Sequence, residues 1–267
     1  MVCAMFIDAH CHLEKKYYGE DVAQVIARAR DKGVGAFVAV GASDVAHGVH
    51  EAVALAEAYP YVYVAAGVHP HDAGLATEAD VQAIERWMSH PKVVALGEVG
   101  LDYFYDNAPR EAQRVLFKSF LQMAKRCEKP LMLHIRDAHE DAFALIDEVG
   151  LPACGGVVHC FTRGPDLAER YVKRGFKLSI PGVLTFKNAV AVQETVQAFD
   201  LSVFLLETDA PYLAPAPHRG KQNEPAFVVH TAEAMAALKG VSVQEVAQRT
   251  TANAVKLFNL EGVLYSD

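Results

Sequence analysis

A single-domain α/β chain spanning residues 1–267 and folded as a TIM-type (β/α)8 barrel, regular or distorted, is what this sequence implies. Three observations carry that expectation. Eight short apolar or β-branched runs, at residues 5–10, 36–40, 62–68, 93–97, 131–135, 157–161, 176–180 and 203–207, alternate with stretches whose apolar residues recur at helical spacing. Such alternation implies parallel strands joined by right-handed crossovers. Runs one, four, five, six and eight all end in polar residues able to do chemistry, which a barrel gathers at one rim. An open doubly wound sheet, the rival fold, would spread them over too wide a crevice. Finally, no Gly-x-Gly-x-x-Gly follows the first run, so the dinucleotide fingerprint is absent.

Taken in order, the elements justify themselves by periodicity and punctuation. The first run leads into Asp8-Ala9-His10-Cys11-His12, and strand alternation puts His10 and His12 on one face and Cys11 on the other. Val22, Ile26 and Ala29 mark the helix that follows, which Gly33 ends, and Ala52, Leu55 and Ala56 mark the next. The third run leads to Gly67-Val68-His69-Pro70-His71. Pro91 precedes the fourth, which leads to Leu96-Gly97-Glu98-Val99-Gly100-Leu101-Asp102. Pro109 opens a long helix over 111–127, and Pro130 precedes the fifth run, which closes on His134-Ile135-Arg136. The sixth carries Val157-Val158-His159-Cys160-Phe161, and Gly175 ends a helix before the seventh. The eighth leads into Glu207-Thr208-Asp209-Ala210-Pro211, and a helical stretch over 243–258 closes the pattern. No linker, charge block, low-complexity tract or further repeat interrupts it.

Composition narrows the function classes. At 52% hydrophobic residues the chain can bury a large core, which excludes disordered and collagen-like readings. A net charge of −8 argues against a protein that coats nucleic acid through a broad basic surface. A local cationic cleft is still open to Arg136, Arg163, Lys187, Arg219 and Lys221, which fall just beyond proposed strand ends. No apolar run approaches the roughly 20 residues that span a bilayer, and the N-terminus lacks a signal peptide's charged and apolar regions. The chain therefore reads as cytoplasmic, with no membrane partner; its oligomeric state is not legible. Cys3, Cys11, Cys127, Cys154 and Cys160 lack a paired spacing and read as free thiols, Cys11 and Cys160 facing away from His12 and His159.

The polar run ends point to metal-dependent hydrolysis. Two co-facial imidazoles can grip one cation, with Asp8 behind His10 as a hydrogen-bond acceptor. Glu98 follows a buried apolar run, a costly place for a carboxylate unless it is paired or coordinated. It either pairs with Arg136 or bridges two cations held about 3.5–4 Å apart, and the bridge is favoured. His134, His159 and Asp209 supply further ligands, Asp209 also accepting a proton from the attacking water. His69 is a candidate proton donor or contact to the scissile group, though a loop histidine capping a helix explains it nearly as well. His47, His50, His90 and His139 read as solvated helix faces. Neither a Gly-x-Ser-x-Gly elbow nor a P-loop occurs.

These motifs, in this order, resemble the TatD family of metal-dependent deoxyribonucleases within the amidohydrolase-like barrels. The match covers nearly the whole chain: Asp-Ala-His-Cys-His-Leu, Gly-Val-His-Pro-His, Gly-Glu-Val-Gly-Leu-Asp-Tyr, His-Ile-Arg-Asp-Ala, His-Cys-Phe, Thr-Phe-Lys-Asn, Glu-Thr-Asp-Ala-Pro-Tyr-Leu and Arg-Gly-Lys-Gln-Asn-Glu-Pro. Ala9 and Pro181 depart from the residues usual in relatives, which touches the substrate groove and leaves the ligands intact. The resemblance implies two divalent cations (Mg²⁺, Mn²⁺ or Zn²⁺), one held by His10, His12, Glu98 and Asp209, the other by Glu98, His134 and His159. It also implies hydrolysis of DNA phosphodiesters, single-stranded or at ends and often exonucleolytic; charge and loop position, beside that resemblance, make Arg136, Arg219 and Lys221 the residues to steer the phosphate. A hydrolase of a small ester, amide or lactone, or of D-aminoacyl-tRNA, would use the same machinery, and a binding module keeping a structural metal is the reading from another class.

Overall fold

The structure, a computed structural model, describes residues 5–45 and 47–260. Eight strands, β1 (Phe6–Cys11), β2 (Val34–Gly41), β3 (Val62–Ala66), β4 (Val93–Asp102), β5 (Leu131–Arg136), β6 (Gly156–Val158), β7 (Phe176–Ile180) and β8 (Phe204–Leu206), alternate with helices. They form one sheet whose order repeats the order of the chain, the arrangement of an α/β barrel of TIM type. The eight apolar runs each become a strand. Most differ somewhat in length, and two differences bear on the site: β4 runs on through Glu98 to Asp102, and β6 stops at Val158, so His159 stands beyond its end.

Contacts divide the chain into two compact units, Met1–Ala39 with His159–Asp267, and Val40–Val158. In the first, β1, β7 and β8 are lined by fully buried side chains such as Leu178, Phe204 and Leu205. β1 and β8 are tied by the Asp209 amide donating to the His10 carbonyl at 3.0 Å and the His12 amide donating to the Ala210 carbonyl at 2.7 Å. The helix Val243–Phe258 starts on Ser242, whose side chain accepts the Glu245 amide, and buries Val246, Ala247, Ala254 and Phe258. In the second unit, β3 to β6 pair in parallel, and every residue of the ten in β4 is buried. The helix Arg110–Cys127 packs Phe117, Phe120, Leu121 and Ala124 inward.

Among the described residues, no single helix is long and apolar enough to cross a membrane. Cys11, Cys127, Cys154 and Cys160 are free thiols; Cys3 lies outside the described residues. Cys11 is fully buried and turns its Sγ to the Val38 carbonyl, as strand alternation requires. Cys160 follows β6 with a left-handed φ of 49°, so alternation does not govern it.

Candidate metal centre

In the first unit the ligand-bearing stretch of β1 is irregular. Asp8 pairs with Phe37 and Cys11 with Ala39, so β1 holds one residue more than β2 here, and the extra residue falls at Ala9 or His10. Bulges of this kind re-aim a side chain. The His10 and His12 Nε2 atoms come within 3.3 Å of each other, and Asp209 Oδ1 lies 3.5 Å from the first and 3.7 Å from the second. Asp209 reaches them with a left-handed φ of 54°, held by its amide donating a hydrogen bond to the His10 carbonyl. These three residues can share a cation.

The same His10 belongs to a second grouping, with His159 and Glu207. The His10 and His159 rings stack at 3.9 Å, and Glu207 Oε1 accepts the Cys160 amide at 2.7 Å while lying 3.5 Å from His159 Nδ1. Glu207 is wholly buried, and its Oε2 has no hydrogen-bond partner among the described residues. A buried carboxylate oxygen left so is costly unless a cation or proton meets it, which fits a metal-binding donor set. Asp8 sits behind this group. It accepts the His10 amide at 3.3 Å, the Thr208 amide at 2.9 Å and the Thr208 hydroxyl at 2.6 Å, tying β1 to the segment after β8. Burial pushes its carboxyl up to about 8, against the hydrogen bonds from Thr208 and His10.

The second unit carries its own cluster, His69, Glu98 and His134. Gly97 pairs with Met132 and Val99 with Leu133, which leaves Glu98 as the extra residue of β4. Glycine on either side lets β4 approach β5 this closely. A Cβ on Gly97 would lie 2.6 Å from the Met132 carbonyl oxygen, and one on Gly100, whose φ is +148°, would collide with the His134 carbonyl. Glu98 Oε1 thereby reaches 2.7 Å from His134 Nδ1 and 3.6 Å from His69 Nε2. His69 Nδ1 accepts the His71 amide at 3.1 Å and caps the short turn Pro70–Asp72, so the helix-capping alternative and cluster membership hold together.

Asp102 binds this cluster from behind. Its Oδ2 lies 2.9 Å from His71 Nε2 and 3.0 Å from His134 Nε2, and its Oδ1 accepts the amides of Phe104 and Tyr105 at 3.0 and 2.9 Å. Burial pushes the Asp102 carboxyl up, but hydrogen bonds from His134, the Tyr105 amide and His71, with the charge of His134, outweigh it and hold the group well below the usual carboxylate range.

Arg136 does not pair with Glu98. Its guanidinium lies 3.9 Å over the Phe104 ring and 4.7 Å over Tyr105. Arg219 is exposed and lies 4.3 Å over Phe186; Lys221 is exposed. His47 and His50 are solvent-exposed as expected, but His90 and His139 are half-buried, His90 beside Glu57 at 3.4 Å. Sequence reasoning missed Asp102, Glu207 and His71 as parts of these groupings. Asp102 and Glu207 had a signal in retrospect: each is a carboxylate at the end of a buried apolar run, as Glu98 is.

Comparison with known proteins agrees with this geometry. The model of the TatD-related DNase family matches residues 7–259. The chain is 40% identical over 256 residues to YabD of Bacillus subtilis, described as an uncharacterized metal-dependent hydrolase, covering 96% of this chain and 100% of that one. It is 34% identical over 258 residues to the 3'-5' ssDNA/RNA exonuclease TatD of Salmonella typhimurium, covering 95% and 98%. Among solved structures, the TatD homologue YjjV of Escherichia coli superposes with a TM-score of 0.90 at 32% identity, covering 97% of this chain and 99% of that one.

Proposed function

The chain belongs to the TatD-related DNase family of metal-dependent hydrolases, and from that membership we propose that it hydrolyses phosphodiester bonds of DNA, in single strands or at ends, as an exonuclease. The observation that carries this reading is the set of histidine and carboxylate groupings, two sharing His10 in the first compact unit and one in the second, each with ligand atoms within 4.8 Å of one another. The activity of the Salmonella relative supplies the substrate class.

The reading assigns two divalent cations, Mg²⁺, Mn²⁺ or Zn²⁺, one to His10, His12 and Asp209 and one to Glu98 and His134, with His159 ligating beside His10. Bound there, such ions supply Lewis acidity to a phosphoryl oxygen and make water nucleophilic near neutral pH. Asp209 takes the proton of the attacking water. Its side chain keeps 13% exposure, whereas Glu207 has none, so Asp209 is the carboxylate that meets solvent. His69 acts at the leaving oxygen. Its Nδ1 accepts the His71 amide, so the neutral ring carries its proton on Nε2, the atom facing Glu98. Arg136, Arg219 and Lys221 offset charge on the phosphates.

The test uses oligonucleotides labelled at either end, incubated with each cation and with EDTA. Stepwise shortening that needs the cation, and falls at least about 100-fold in Asp209→Asn, is expected. No turnover with any cation, or full-rate turnover in that variant, overturns the assignment.

A further inference from the structure

The loop after β4 holds two aromatic side chains that the hydrolytic groups do not use. Phe104 is 56% exposed and Tyr105 is 55% exposed, with ring centroids 5.0 Å apart and planes at 86°. Exposed adjacent rings forgo burial, and when held in place they mark a binding surface. The backbone that carries them is held in place: Asp102 Oδ1 accepts both their amides. The Arg136 guanidinium lies over both rings and has no carboxylate partner among the described residues, so its charge is left for an anion. The other oxygen of Asp102 takes His134 and His71, and the Tyr105 ring stands edge-on to His71 at 5.4 Å. One carboxylate thus ties the backbone that carries the two rings to the histidine of the metal cluster.

We propose that Phe104, Tyr105 and Arg136 form a stacking platform for an unpaired nucleobase next to the cleaved phosphodiester, the guanidinium contacting the adjoining phosphate. This rests on the phosphodiesterase reading. A base inside a duplex has both faces stacked and its edge paired, whereas a base in a single strand or at a frayed end offers a face to an aromatic ring. Stacking ignores base identity and the 2'-hydroxyl, so the platform selects single strands without selecting sequence or sugar. A cation stacked on a ring adds to the attraction for a base as well as for phosphate.

The test compares metal-loaded protein binding to a cleavage-resistant phosphorothioate single strand and to the same strand with abasic sites in place of its terminal bases, in deoxy and ribo forms. Wild-type protein should hold the intact strand about 10-fold more tightly in both forms. In Phe104→Ala/Tyr105→Ala that ratio should fall to near one, while Tyr105→Phe, which keeps the ring, should retain it. A wild-type ratio near one overturns the platform without recourse to any variant, and so does a double variant that keeps the full ratio. Cleavage of ordinary strands is measured in parallel. Wild-type protein that cleaves with a ratio near one leaves the hydrolase reading standing and removes the platform. Protein that shows the ratio but cleaves nothing leaves a base-binding platform and removes the phosphodiesterase reading.

Discussion

Asp102 is the residue on which the second unit's chemistry turns. A metal-ligating histidine needs its other ring nitrogen fixed, because that bond sets the tautomer and the aim of the ligand. Asp102 does this for His134, which keeps Nδ1 toward Glu98. Asp102→Asn offers an amide in place of a full carboxylate and should weaken metal affinity or turnover by about 10–100-fold, read by metal titration alongside kcat. Unchanged affinity would show that His134 is aimed by packing alone. The cysteines make the opposite point. Cys11 lies between two candidate ligands in sequence, yet strand alternation buries its thiol against β2, and burial pushes that thiol well above its ordinary range.

At the scale of elements, irregular strands do the positioning. β4 gains an extra residue at Glu98, and it fits against β5 only because residues 97 and 100 lack side chains. Gly100→Ala would combine a φ that L-residues avoid with a collision against the His134 carbonyl. It should cost about 3 kcal/mol or more in denaturant unfolding and should displace Glu98 from His134. Near β8 the element is set by a charge. Asp200 accepts the Ser202 amide at 2.8 Å, capping the turn Leu201–Val203, and pairs with Arg249. The Ser202 bonds, with the Arg249 charge, hold its carboxyl below the usual value. A lowered folded-state value means the stabilisation is present above the unfolded pKa of about 3.9 and is lost as pH falls through the folded one. Denaturation midpoints measured at stepped pH should therefore fall less steeply on the acid side in Asp200→Asn than in the native chain.

For the whole molecule, the buried ligands make stability depend on metal. Glu98, Glu207, His10 and His159 are all buried, and a cation that binds them only in the folded state adds stability by mass action. Saturating one site at a hundred times its Kd adds about 2.7 kcal/mol, a rise in Tm of roughly 5–10 °C for a chain of this size. Thermal melts with and without EDTA check it, and equal Tm values would mean that these clusters bind no cation.

The sequence by itself determined the fold class and the places where chemistry concentrates. Strand and helix periods, with glycine and proline between them, are local properties, and polar residues closing five of the eight apolar runs are visible without knowing where those runs meet. Polar run ends picked out His10, His12, Glu98, His134, His159 and Asp209 in this way. Tertiary structure alone decided the pairings. A bulge is a mismatch between two strands, so neither the one near His10 nor the one at Glu98 is written in either strand separately. The partner of Arg136 was likewise a question of reach: an ion pair to Glu98 was open on charge, and two rings three and four positions beyond Leu101 took the guanidinium instead. Charge and period are carried by each residue, whereas distance between side chains exists only once the chain has packed.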